Sequence, residues 1–134
     1  MLNAHRVPAD RTLAHRVLIV DGSQENRLVL RAALERRGMQ ILEADAVDDA
    51  LRLADRHRPD LIVVDLELDQ QTGDDICGRF DRQGRHTPLV LLGSARRREP
   101  VVPMGQFVAK PYHYGPLIRT IEGLLDRSRQ ADCD

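Results

Sequence analysis

At 134 residues the chain has the length of one domain, long enough to build its own core. Hydrophobic residues make up 42% and charged ones 31%, a soluble globular balance, and the formal net charge of −1 argues against a nucleic-acid or membrane surface. No apolar run approaches a membrane span, the opening MLNAHRVPAD lacks the hydrophobic segment of a signal peptide, and Cys77 and Cys133 show no metal-type spacing, so the expectation is a cytoplasmic protein without a disulfide.

Residues 1 to about 14 have no clear period and read as a flexible arm. Arg16-Val17-Leu18-Ile19-Val20-Asp21 is the first strand, apolar and ending in an acid. Gly22 follows, then Ser23 as N-cap of a helix reaching about Arg37. Val29, Leu30, Ala33 and Leu34 form its inward face and Arg27, Arg31, Glu35 and Arg36 its wet one, with Gly38 at the C-cap position. Gln40–Ala44 is a short second strand, polar enough for a sheet edge. A second helix, Ala46 to His57, turns Val47, Ala50, Leu51 and Ala54 inward and is broken by Arg58-Pro59-Asp60. Leu61-Ile62-Val63-Val64-Asp65 runs four apolar residues into an acid, the pattern of a strand buried on both faces of a parallel sheet.

Glu67 to Thr72 is a polar loop with Gly73 at its exit, and a third helix from near Asp74 buries Ile76, Cys77 and Phe80. Thr87-Pro88 opens a fourth strand, Leu89–Leu92, ending in Gly93-Ser94. Ala95 to Gln106 contains Pro100 and Pro103, so no full helix runs through it. Phe107-Val108-Ala109 is a fifth strand ending in Lys110-Pro111. The last helix, from about Tyr114 to Arg127, faces Leu117, Ile121, Leu124 and Leu125 inward, and residues 128–134 form a frayed tail.

Strands alternating with helices imply a parallel sheet with right-handed crossovers, here one domain over residues 15–127. The strands' carboxyl ends then share one edge, where such sheets bind ligands. That edge gathers Asp21, Asp65, Gly93-Ser94 and Lys110. Two neighbouring carboxylates need a cation, and Mg²⁺ suits hard oxygens while keeping waters and phosphate oxygens as ligands. A carboxylate beside it can attack a phosphoryl group, a lysine can pair with phosphate oxygens, and a hydroxyl from strand four adds a hydrogen bond. Lys110 is the single lysine among the 20 Lys and Arg residues, placed just before Pro at a strand end. Plainer readings also exist: Asp65 capping a turn, Asp21 accepting from the first helix, Ser94 an ordinary turn serine, Lys110 a solvated cation.

These residues resemble the receiver domain of two-component response regulators. VLIVDG at 17–22 is similar to that family's first strand, LIVVDLELDQQTG at 61–73 to its phosphoacceptor strand and loop, TPLVLLGSA at 87–95 to its fourth strand and FVAKPY at 107–112 to its Lys-Pro motif. ENRLVLRAALERRG also resembles the first helix of receivers attached to hybrid histidine kinases. The resemblance covers roughly residues 15 to 126. It implies a flavodoxin-like (CheY-like) three-layer sandwich, with a five-stranded parallel sheet in order 2-1-3-4-5 and the fourth helix short or missing. It further implies Asp65 as phosphoacceptor and Mg²⁺ held by Asp21, Asp65 and the backbone carbonyl of Glu67. Lys110 would contact the phosphate, Ser94 is a candidate hydroxyl donor, Phe107 is the switch aromatic, and the peptide before Pro111 is cis.

The departures are specific. Gly22 stands where the family has a metal-binding acid, which weakens Mg²⁺ binding, with Glu25, Glu67 and Asp69 as substitutes by position. Gly93 stands where the sensing hydroxyl belongs, with Ser94 one place late, and Asp69 replaces a loop proline. Arg96-Arg97-Arg98 is either a solvated face or a contact for an acidic partner.

The expected function is a phosphorelay receiver rather than an enzyme in its own right. It takes a phosphoryl group from a histidine kinase or histidine phosphotransfer protein and acts on a downstream protein by contact, as a monomer or atypical dimer. The alternative is a pseudo-receiver, an interaction domain that works without phosphorylation. A flavodoxin-like cofactor enzyme fits poorly with 3% aromatics and no Trp.

Overall fold

The computed structural model describes residues 14–68, 72–94 and 105–133. Its strands are β1 (Arg16–Val20), β2 (Gln40–Ala44), β3 (Leu61–Asp65), β4 (Leu89–Ser94) and β5 (Gly105–Lys110). All pair in parallel, in the order β2-β1-β3-β4-β5. The described helices are α1 (Gln24–Glu35), α2 (Val47–His57), α3 (Gly73–Asp81) and α4 (Tyr114–Cys133).

Alternation along each strand divides the core into two layers. Val17, Ile19, Leu61, Val63, Val90 and Leu92 pack under α1 and α4, through Leu30, Leu34, Leu117, Ile121 and Leu125. Leu18, Val20, Ile62, Val64, Leu89 and Leu91 pack under α2 and α3, through Val47, Ala50, Ala54, Ile76 and Phe80. The sheet is thus the middle of a three-layer sandwich, as expected. β3 is buried at every residue, which is why its sequence is an unbroken apolar run.

Several boundaries differ from the sequence reading, each for a local reason. β5 begins at Gly105 rather than Phe107. A Cβ at Gly105 would lie 1.8 Å from the Leu89 carbonyl oxygen, so only glycine lets β5 come alongside β4 there. Leu66–Leu68 forms a 3₁₀ turn, not plain loop, because Leu66 is drawn fully into the core. α4 runs to Cys133 instead of ending at Arg127, so residues 128–133 are helix rather than frayed tail; SRQADC holds no Gly or Pro to stop it. Val29, expected inside, is 46% exposed and stands beside the Leu30–Leu34 stripe rather than on it. The expected arm over residues 1–13 lies outside the described residues. So does the segment 95–104, on which the expectation of a short or missing fourth helix and Arg96-Arg97-Arg98 fall.

Candidate functional site

Asp21 directly follows β1, and Asp65, Ser94 and Lys110 are the last residues of β3, β4 and β5. Each continues the alternation of the layer under α1 and α4, after Ile19, Val63, Leu92 and Val108. Sheet register and alternation therefore bring all four to one edge and one face. Ser94 ladders with Lys110, and β4 lies between the strands that carry Asp65 and Lys110.

The two acids are the buried charged side chains among the described residues, Asp65 at 6% exposure and Asp21 at 8%. Lys110 Nζ donates to both oxygens of Asp65, at 2.8 Å to Oδ1 and 2.9 Å to Oδ2. Asp65 Oδ1 also accepts from the Glu67 backbone N–H at 2.9 Å. Asp21 Oδ1 accepts from the Ser23 N–H at 2.9 Å, while the Ser23 side chain caps α1. Burial raises the proton affinity of Asp21, and the neighbouring Asp65 raises it further; the Ser23 N–H and Lys110 pull the other way.

The remaining predicted residues divide. Glu67 is exposed in the 3₁₀ turn beside Asp65. Gly22 is exposed, and Glu25 is exposed in the first turn of α1; Asp69 lies outside the described residues. Phe107 is half-buried and packs into the layer under α2 and α3, on the opposite face from Lys110. The Lys110–Pro111 peptide is cis, as the resemblance implied.

Two residues near the acids escaped the sequence reading. Arg27, expected on the wet face, has only 15% of its side chain exposed. Its Nη1 donates to the Asp21 carbonyl at 2.5 Å and its Nε to Glu43 Oε1 at 2.9 Å, and Arg31 Nη1 reaches Glu43 Oε2 at 2.6 Å. The signal was available, because residue 27 shares the i, i+3, i+7 stripe of Leu30 and Leu34. Tyr112, two residues past Lys110, packs against the layer under α1 and α4 and meets Tyr114 edge to face with centroids 5.6 Å apart. Its phenol is pushed up to about 12, chiefly by burial, then by Tyr114 and by the charges of Asp21 and Asp65.

Glu43 is held below the usual carboxylate range, first by Arg31, with burial opposing and Arg27 assisting. A depressed carboxylate lends stability that is present above its unfolded value and lost as pH falls through its folded one. Glu43→Gln is therefore expected to cost about 1 kcal/mol near neutrality, with the deficit closing below the ordinary glutamate range. Urea unfolding of both proteins at neutral and acid pH checks this.

Two carboxylates facing one ammonium leave a buried edge with net negative charge. That donor set fits a hard divalent cation, which Mg²⁺ sites commonly hold with one or two carboxylates and several waters. Among the described residues no three or more His, Cys, Asp or Glu side chains converge.

The family model for the response regulator receiver domain matches residues 17–122, and the chain belongs to that family. The KDP operon transcriptional regulatory protein KdpE of Escherichia coli (strain K12) is 36% identical over 117 residues, covering 83% of this chain and 51% of that protein. The transcriptional regulatory protein PdtaR of Mycobacterium tuberculosis (strain ATCC 25618 / H37Rv) is 29% identical over 128 residues, covering 91% of this chain and 62% of that protein. The chain thus spans only about half to 62% of the length of these relatives.

Among solved structures, the receiver domain of the Francisella response regulator 1452 superposes with a TM-score of 0.73 at 20% identity, over 85% of this chain and 98% of that one. Vibrio cholerae chemotaxis protein CheY4 does so with 0.67 at 23%, over 83% and 98%; both likenesses speak to the fold. Receiver domains serve two-component phosphorelay signalling. Phosphorylation on an aspartate and Mg²⁺ binding are typical of the family, and histidine kinases or phosphotransfer proteins are its partners. Among the described residues no helix is long and apolar enough to cross a membrane.

Proposed function

We propose that this receiver domain accepts a phosphoryl group on Asp65 from the phosphohistidine of a histidine kinase or histidine phosphotransfer protein, and signals through the altered surface. The observation that carries this is the setting of Asp65: buried at the end of the central strand, with both oxygens on the ammonium of Lys110. Lys110 and the Glu67 N–H hold the carboxylate in place at the strand end, with Oδ1 accepting from both and Oδ2 from Lys110. Attack forms an acyl phosphate as the phosphorus–nitrogen bond to histidine breaks. Asp21, Asp65 and the Glu67 carbonyl would hold Mg²⁺, which supplies charge neutralisation for the acid pair and the phosphoryl oxygens. Lys110 moves from the carboxylate to a phosphoryl oxygen, a short shift for a flexible ammonium. Ser94, at the end of β4 between the strands of Asp65 and Lys110, is the hydroxyl positioned to donate to the transferred group. Phe107, packed on the far face, is the aromatic that would relay the change.

One observation favours the second reading, a pseudo-receiver working by contact alone. Gly22 carries no carboxylate, and among the described residues no third His, Cys, Asp or Glu joins the acid pair. The test is intact-mass measurement after incubation with acetyl phosphate and Mg²⁺. The first reading expects a gain of one phosphoryl group that disappears in Asp65→Asn; an unchanged mass, with no Mg²⁺ binding, selects the second.

A further inference from the structure

We infer that Arg27 is a positioning residue of the acid pair: it anchors the backbone carbonyl of Asp21 and so keeps the Asp21 carboxyl directed at Asp65. The inference rests on the phosphoacceptor reading for its consequence but not for its geometry.

β1 stops pairing at Val20. Beyond it, the Asp21 N–H still donates to the Ala44 carbonyl at 3.1 Å, while the Asp21 carbonyl accepts from Arg27 Nη1 at 2.5 Å. The next residue is Gly22, the one with the widest backbone freedom, standing where a side chain would otherwise add bulk or charge. An acid followed by glycine at a strand end is free to turn unless something fixes its peptide. Arg27 supplies that fixation from the helix side.

Arg27 is itself held. Its Nε is committed to Glu43 on β2, and Arg31 grips the other oxygen of Glu43 at 2.6 Å. The guanidinium therefore ties the first turn of α1, the end of β1 and the edge strand β2 at one point. It does so with a planar fork whose nitrogens serve two acceptors at once, which a lysine cannot reproduce. Arg27 acts through a main-chain carbonyl, its guanidinium donating to that carbonyl and to Glu43. Its effect on phosphoryl chemistry runs through Asp21.

The experiment compares Arg27→Met, which keeps an apolar stem, with Arg27→Lys, which keeps the charge. In metal-free protein, amide exchange at Ser23 reports the turn, because that N–H is bonded to Asp21 Oδ1; exchange at Val63 in the central strand reports global opening. Arg27→Met is expected to speed Ser23 exchange selectively over Val63, with Arg27→Lys restoring it in part. A purely structural role would move both amides together, and that outcome, or an unchanged Ser23, overturns the inference. In the second arm, Mg²⁺ is titrated by calorimetry. Arg27→Met is expected to weaken binding on the order of tenfold, as removal of a ligand's supporting contact does, and to add nothing in an Asp21→Asn background. Losses that add in the double variant also overturn it. If the unaltered protein neither binds Mg²⁺ nor takes up a phosphoryl group, the phosphoacceptor reading fails, and the Ser23 exchange by itself decides the role of Arg27.

Discussion

Lys110→Met is expected to destabilise the protein by about 2 kcal/mol at neutral pH and to abolish stable phosphoryl transfer. Removing one partner of a buried pair typically costs about 3 to 5 kcal/mol, and the 30% exposure of the Lys110 side chain reduces that figure. What remains is two carboxylates on adjacent strands with no cation between them. Asp21 already has a raised proton affinity from burial and from Asp65, and loss of Lys110 removes an opposing influence. A carboxyl whose folded value is raised favours folding below its unfolded value and loses that contribution as pH rises through the folded one. The deficit of Lys110→Met should therefore shrink as pH is lowered toward the ordinary carboxylate range. Urea unfolding at neutral and mildly acid pH measures it; a deficit of equal size at both would mean that the ammonium does not balance the acids.

Gly22→Asp is the second large effect, and it has the opposite sign for ligand binding. Gly22 is exposed, and the described glycines in the left-handed region are Gly38 and Gly84, so an L side chain is compatible with its backbone. A third carboxylate at this edge should tighten Mg²⁺ binding by about tenfold or more, about 1.4 kcal/mol or more. Without metal it adds repulsion to Asp21 and Asp65, so the variant should be about 1 kcal/mol less stable in chelator and recover with Mg²⁺. Calorimetric titration and thermal unfolding with and without the ion check both. Unchanged affinity would show that residue 22 does not face the cation.

How much of this was legible depends on what fixes each feature. β1 and β3 could be read directly, because burial on both faces demands continuous apolar runs and the acids after them mark the strand ends. Parallel pairing then puts Asp21, Asp65 and Lys110 at one sheet edge. The solitary lysine was a compositional signal, and it proved to be the partner of Asp65. What could not be read was set by contacts distant in sequence. Gly105 looks like a loop glycine until the Leu89 carbonyl is seen against it. Arg27 looks like a surface cation until Glu43, sixteen residues on, turns it inward. Tyr112 lies inside a recognisable motif, but nothing local says that its ring will pack against the layer under α1 and α4.

The Lys110–Asp65 pair has a mechanical side as well. Lys110 ends the outermost strand, and its ammonium reaches past β4 to the middle of the sheet. Neighbouring strands lie about 4.8 Å apart, so the side chain works as a tie-rod across roughly two strand spacings. Tension in that rod is set by whatever charge occupies the centre. Releasing or redirecting it slackens the end of β5, at the rim of the molecule, where Tyr112 and the start of α4 follow directly in the chain. A change of charge at Asp65 would thereby reach the periphery through a single side chain.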